Sequence, residues 1–293
     1  MSANLPNLRA LEFSTNVQLL LQQKGSRLSG LVMNESHVGK QASPVDQMGS
    51  IEMQQPAGRF APIGRVDASL TRRWAFPADF ELNQLADNFD QLQVLSDPKS
   101  KYVQNAYFAA GRKQDSVLLT AMLGTSYTGE QGGTSVVLPT AQKVAVSEGG
   151  VGNTGLTVAK LRAGVKIMRT GLVDPDEQIY MAIGAADHDS LLGEVQVTSA
   201  DFNGGMPVLK NGKIDSFMGV TFVMTELVTV TSSVAYLPMW VKSGVHLGNW
   251  GAIRTDVSQR KDLSSHPWQA YIAMTIGATR LEEAKVVQVA CAR

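Results

Sequence analysis

The stretch that most constrains this chain runs from Asp97 to Gly124, and its spacing predicts one long amphipathic helix. Asp97 suits the cap position, where a side-chain oxygen accepts from the orphan N–H groups of a first turn, and Pro98 suits the first helical position. Gly124 supplies a residue that tolerates the left-handed backbone closing a helix. No proline interrupts the run, and its single internal glycine is Gly111. Val103, Ala106, Ala110, Val117 and Ala121 recur at helical spacing, and Tyr107, Phe108, Leu118 and Met122 widen the stripe. At ~1.5 Å per residue the helix approaches ~40 Å, about the width of a small domain. Taken alone it is a core helix, and its flanks carry the rest of the argument.

With 293 residues the chain can bury one large core or two modest ones. Charged residues make up 18%, below the usual quarter, and the formal net charge is zero. A surface with few charges is free to bury against other protein, which points to assembly. It gives no basic field for a nucleic-acid binder. The single cysteine, Cys291, excludes an internal disulfide framework and suits a reducing compartment. No signal-peptide pattern is visible at the N-terminus, and no stretch reaches the ~18 apolar residues of a membrane span. The expectation is a globular, intracellularly made chain with no membrane partner.

In order, residues 1–14 read as an irregular arm, followed by a short helix from Ser14 or Thr15 to Lys24 that Gly25 ends. Residues 26–76 are rich in Gly and Pro and poor in large aliphatics. Leu28–Met33 and Arg65–Trp74 read as its strands, with a broad tip near Lys40–Arg59. A loop this long without its own core is either disordered or functional. It retains Val, Ile, Met, Phe and Trp, as an arm packing on a neighbouring molecule would.

Leu82, Leu85, Phe89, Leu92 and Leu95 read as a short helix before the long one. After it, Gly124–Gly133 is glycine-rich, and Ser135–Leu138 reads as a strand. A second glycine-rich turn, Gly149–Gly155, leads to a helix capped by Thr157 and ended by Gly171. Ile179–Ile183, Val220–Met224 and Val234–Val241 read as strands, Ala186–Val195 as helix, and Asn211-Gly212 as a hairpin turn. Trp268–Ile276 and Lys285–Cys291 read as a closing hairpin. Helices and strands mix without a βαβ rhythm, so the class is α+β.

Groupings that could carry chemistry are weak. Gly149–Gly155 resembles a phosphate cradle but lacks the Gly-Lys-Ser/Thr ending and a ribose-binding acid ~20 residues on. Asp187-His188-Asp189 reads as a solvated helix start, since adjacent helical residues face different ways. His37, His188, His246 and His266 show no metal-ligand spacing. Cys291 reads as core, and Glu282 and Glu283 as ion pairs beside Arg280 and Lys285. No catalytic residue, cofactor site or metal site is expected, and the chain does not read as an enzyme.

Several phrases, in this order, resemble tailed-phage major capsid proteins. They are Gln22–Arg27, Arg72–Pro77, Asp97-Pro98 with Tyr102–Asn105, Gly124-Thr125 with Gly132–Thr134, Trp240–Gly244, Thr255–Asp262, Pro267–Tyr271 and Gly277–Glu283. The match runs nearly end to end. It implies the Hong Kong 97-type capsid fold: an N-terminal arm at 1–27, an extended loop at 28–76, a peripheral domain at 77–123 and 256–293, and an axial domain at 124–255. The long helix becomes the spine, and the Glu226–Ser233 loop lies near the five- or six-fold axis. The resemblance further implies pentamers and hexamers closing into an icosahedral shell around double-stranded DNA. It implies a portal at one vertex, a decoration protein and, since no large N-terminal extension is seen, a separate scaffolding protein. Lys40, Arg59, Arg65, Arg72 and Arg73 of the loop, with Glu226, Arg280, Glu282 and Glu283, are the expected inter-subunit contacts. Two alternatives are a cellular nanocompartment shell of the same fold and a nucleotide-binding enzyme using the glycine-rich turns.

Overall fold

The computed structural model describes residues 22–39, 43–55, 58–59, 64–86, 99–198, 209–210, 213–264 and 266–293. The chain divides into two compact units, one of 1–26, 79–112 and 251–274, the other of 27–78, 113–250 and 275–293. The first strands are β1 (Met33–Ser36), β2 (Ser43–Met48), β3 (Leu70–Ala75) and β4 (Ala78–Ala86). Helix α1 (Lys99–Leu123) contributes to both units. Asp97 and Pro98, residues 1–21, Lys40 and the Asn211-Gly212 turn lie outside the described residues.

The second unit is built on a seven-stranded mixed sheet. Its central strands are β8 (Ile179–Ile183), β12 (Val220–Met224), β14 (Val234–Val241) and β17 (Val286–Ala292). β7 (Lys143–Val144) and β11 (Ser216–Phe217) are the ends of the order β11-β12-β8-β14-β17-β7, and β13 (Thr229–Thr231) pairs with β14 outside that path. β8 and β12 run parallel, and β14 runs antiparallel to both β8 and β17. These strands are near-continuous Val, Ile, Met, Leu and Ala because most of their side chains are buried, as strands covered on both faces must be. Helix α2 (Val158–Thr170) packs on β7 and β17. Thr157 caps it by accepting from Lys160 N, Gly171 ends it, and Leu161, Gly164 and Met168 face inward. Gly164 lies so close to the sheet that a Cβ there would stand 3.0 Å from Met239 Cε.

Beyond this sheet come α3 (Ala185–Leu192), the single-turn α4 (Val195–Thr198), and β9 (Leu209–Lys210) paired with β10 (Lys213–Ile214) as the predicted hairpin. A four-stranded sheet of order β1-β15-β16-β4 uses the two longest strands, β15 (Val245–Gln259) and β16 (Trp268–Arg280). Another four-stranded sheet, of order β2-β3-β5-β6, adds β5 (Ser126–Thr128) and β6 (Thr134–Val136) to the loop strands.

Three expectations need correction. Residues 78–86 form a strand where Leu82 and Leu85 suggested a helix: Phe80, Leu82 and Gln84 are half-buried while Asp79, Glu81, Asn83 and Leu85 are exposed, which is period two. β16 and β17 are not a hairpin, because β16 pairs with β15 and β4 while β17 enters the seven-stranded sheet beside β14 and β7. Gly124 follows α1 without a positive φ; its requirement is space, since a Cβ would stand 2.6 Å from Thr120 O.

Along α1 the buried positions are Ala106, Ala110, Gly111, Asp115, Leu118, Leu119 and Met122, a helical stripe with one acid in it. In the second unit the Asp115 carboxylate accepts from the backbone N–H of Arg27 at 2.9 Å and of Leu28 at 3.2 Å. In the first, Gly111 admits the backbone of Gly25 and Ser26, and Arg112 donates to Gln22 Oε1 at 2.6 Å and Gln23 O at 3.2 Å.

Candidate assembly surface

The extended loop is built on β2 and β3, which pair antiparallel from Ser43↔Ala75 to Met48↔Leu70. The first strand therefore starts fifteen residues later than Leu28–Met33 suggested, and the tip spans 49–69. β3 also pairs with β5 through Arg73↔Thr128 and Trp74↔Tyr127. Trp74 Nε1 donates to Gly129 O at 2.7 Å, and Phe76 meets Tyr127 edge to face at 5.2 Å. The base of the loop is thus anchored on its own chain. Its outer part is different: Met48, Ile51, Met53 and Leu70 are each 62 to 102% exposed. Large apolar side chains left this exposed along one segment suit a protein interaction site.

The charged residues singled out in the sequence separate into two groups. Arg59 and Arg65 are exposed, and Arg65 pairs with Asp67 at 2.8 Å. Arg72 forks onto Asp46 across the β2–β3 ladder, at 2.5 and 3.2 Å, and lies over the Trp74 ring. That hydrogen bond holds the Asp46 carboxyl below its ordinary range. Glu282 pairs with Lys285 at 3.1 Å. Glu226 accepts from Ala185 N and lies 3.6 Å from Arg293.

The second group is buried. Arg73 meets Glu283 at 2.7 Å, so a loop arginine and this acid do pair, but within one chain. Arg280 lies 3.7 Å from the same carboxylate and is fully buried. Its guanidinium donates to Met122 O at 2.9 Å, Gly124 O at 2.8 Å and Val136 O at 3.2 Å. It thereby satisfies carbonyls at the C-terminus of α1, where positive charge also suits the helix dipole. Burial pushes the Arg280 pKa down from its ordinary value. Only these long-range contacts reveal Arg280 as a cap; its sequence distance from α1 hides it.

The glycine-rich turn at Gly149–Gly155 is occupied by its own chain. Thr154 N donates to Val146 O, and Thr154 O accepts from Ala292 N and from Lys160 Nζ at 2.6 Å. Lys160 is fully buried, gives a second bond to Ala290 O at 2.8 Å, and has its pKa lowered by burial. Cys291 is buried beside it, with its thiol pushed up to about 12 by burial, so it is an inert core residue. Asp187 and His188 are also buried, which corrects the solvated reading. Asp187 accepts from Gly184 N at 3.0 Å and pairs with Arg293 at 2.6 Å, while His188 Nε2 accepts from Ile214 N.

One cluster escaped sequence reasoning altogether. Glu35, His37 and His246 bring potential metal-ligating atoms within 4.8 Å of one another, the only such trio among the described residues searched. The parallel pairing of β1 with β15 causes it. Met33 stands opposite His246 and Glu35 opposite Gly248, and His37 N donates to Asn249 O. Alternation then puts Glu35, His37, His246 and Trp250 on one face. The two imidazole Nε2 atoms are 2.8 Å apart, and the Trp250 ring lies 4.9 Å from His37. His246 is fully buried; desolvation lowers its pKa, and its Nδ1 has no hydrogen-bond partner among the described residues.

Comparison with solved structures places this architecture. The capsid of the cyanophage P-SCSP1u matches with a TM-score of 0.76 at 14% identity, covering 98% of this chain and 94% of that one. The capsid of Ralstonia phage GP4 matches with a TM-score of 0.70 at 11% identity, covering 97% and 95%. The capsid of a native GTA particle matches with a TM-score of 0.68 at 13% identity over 100% of both chains. These share the Hong Kong 97-type capsid fold. No curated protein sequence matches the chain. The family described as phage capsid protein matches residues 6–293, nearly the whole length, and its members are structural shell proteins and not enzymes. With that match over nearly its whole length, and with this fold, the chain belongs to the phage capsid protein family.

Proposed function

We propose that this chain closes as pentamers and hexamers into the icosahedral head shell that encloses phage double-stranded DNA. The observation that carries the proposal is the outer end of the β2–β3 loop, from the last ladder pair outward. Four large apolar side chains, Met48, Ile51, Met53 and Leu70, stand exposed on an arm whose base is anchored. Laid over a neighbouring subunit, each would contribute roughly 1.5–3 kcal/mol of burial before the entropy of association is subtracted. Repetition around a closed ring makes such contacts cooperative.

In this reading residues 1–27 are the arm, 28–76 the extended loop, 77–123 with 256–293 the peripheral domain, and 124–255 the axial domain. Arg59, Arg65, Arg72, Glu226 and Glu282 keep surface positions suited to inter-subunit pairing, each pair contributing ~0–1 kcal/mol. Assembly takes place in the host cytoplasm on a separate scaffolding protein. A portal occupies one vertex, a decoration protein binds outside, and DNA touches the inner face without base readout.

Co-expression with the scaffolding protein, followed by negative-stain microscopy and light scattering, tests this. Wild type is expected to give closed shells. Ile51→Asp/Met53→Asp is expected to give folded, unassembled protein with an unchanged far-ultraviolet dichroism spectrum. A wild-type chain that stays monomeric with scaffold present overturns the reading.

A further inference from the structure

We propose that Glu35, His37 and His246 form a site for a divalent transition-metal ion of the Zn2+ class, which fastens the strand leading into the extended loop to β15. Two imidazoles and one carboxylate are the nitrogen–oxygen donor set such an ion takes, with water or another donor completing a tetrahedron. Glu35 and His37 sit two residues apart on β1, and His246 reaches the same face from the neighbouring strand.

The Nε2–Nε2 separation of 2.8 Å carries the chemical argument. At that distance the two nitrogens cannot both hold protons, so at least one aims a lone pair at the other. An ion accepting both lone pairs at ~2.0–2.1 Å would set them ~3.3 Å apart, a parting of about half an ångström. The carboxylate of exposed Glu35 completes the trio and offsets one of the ion's two positive charges.

The His246 ring is fully buried, which holds its Nε2 in one place for a ligand. Gly248 and Trp250 frame the site. A Cβ at 248 would press against His37 Cδ2 and the Trp250 ring, so the glycine leaves His37 its place. Asn249 O, accepting from His37 N, holds the backbone that presents the imidazole.

Tag-free, full-length, unassembled protein titrated with CoCl2 tests the proposal, because tetrahedral Co2+ with nitrogen ligands absorbs in the visible. One saturable equivalent with a visible band, displaced by ZnCl2, is expected. His37→Gln is expected to weaken binding at least ~10-fold, and Glu35→Gln, a change at an exposed side chain that leaves folding intact, to weaken it and alter the band. His266→Gln, outside the trio, is expected to leave binding unchanged. No saturable binding, or equal binding by wild type, His37→Gln and Glu35→Gln, overturns the proposal. The readout needs no shell, so its failure is distinct from a failure to assemble.

Discussion

Asp115 decides where the chain enters its second unit. It is fully buried within the apolar stripe of α1, where a lone carboxylate would be strongly unfavourable, and two backbone N–H groups at Arg27 and Leu28 offset its desolvation. Hydrogen bonds to a charged group contribute about 1.5–3 kcal/mol each, and removing the acceptor leaves the buried Leu28 N–H without it. Asp115→Ala is therefore expected to lower unfolding free energy by about 3 kcal/mol. Asp115→Asn, which keeps one carbonyl oxygen, is expected to lose roughly half of that. Urea unfolding of the unassembled protein checks both, and the midpoint is expected to fall with little change in slope. If Asp115→Ala unfolds at the wild-type midpoint, the carboxylate does not hold the Arg27–Leu28 turn.

At the scale of elements, α1 shows a propensity rule reversed by packing. Gly to Ala inside an exposed helix ordinarily stabilises by about 1 kcal/mol. At Gly111 the added Cβ would run into the backbone of Gly25 and Ser26, and backbone cannot rotate away as a side-chain tip can. Gly111→Ala is expected to destabilise by about 1–3 kcal/mol and to raise amide exchange across residues 22–28, measured by hydrogen exchange with mass spectrometry. Faster exchange without lost stability, or neither, would show that the segment docks elsewhere.

The same elements show what a sequence can disclose. Val234–Val241 was legible because a strand buried on both faces reads as a nearly continuous apolar run, and Val220–Met224 because β-branched and aromatic residues dominate it. Helix α2 was legible because Thr157 and Gly171 mark its ends locally. Ala78–Ala86 misled because Leu82 and Leu85 fit a helical period while the competing alternation rests on Phe80, Leu82 and a polar Gln84. β16 and β17 misled because short separation favours a hairpin, yet β16 pairs with the strand before it and with distant β4, and β17 with β14 and distant β7. The contacts of Arg73 with Glu283, Arg280 with Met122 and His37 with His246 span 210, 158 and 209 positions, and no local spacing encodes them. The β2–β3 pairing was legible in part, because Arg65–Trp74 carries the strand that ends at Ala75.

For the whole molecule, the question is whether that loop serves the fold of one chain or the joining of many. Met48 stands directly opposite Leu70, so residues 49–69 can be replaced by Asn-Gly to close β2 and β3 with a two-residue turn. Each halving of a flexible loop recovers ~0.6 kcal/mol of closure entropy. The shortened chain also keeps the Arg72–Asp46 and Arg73–Glu283 pairs and the β3–β5 ladder that anchor the loop base. It discards Ile51 and Met53, which are exposed in the single chain. The monomer is therefore expected to melt at or above the wild-type temperature, by differential scanning calorimetry, while shells vanish from sedimentation profiles even with scaffold present. A destabilised monomer would make the tip part of the folding unit. Normal shells would move the joining contacts to other surfaces, and Glu226 and Glu282 would be the next positions to reverse in charge.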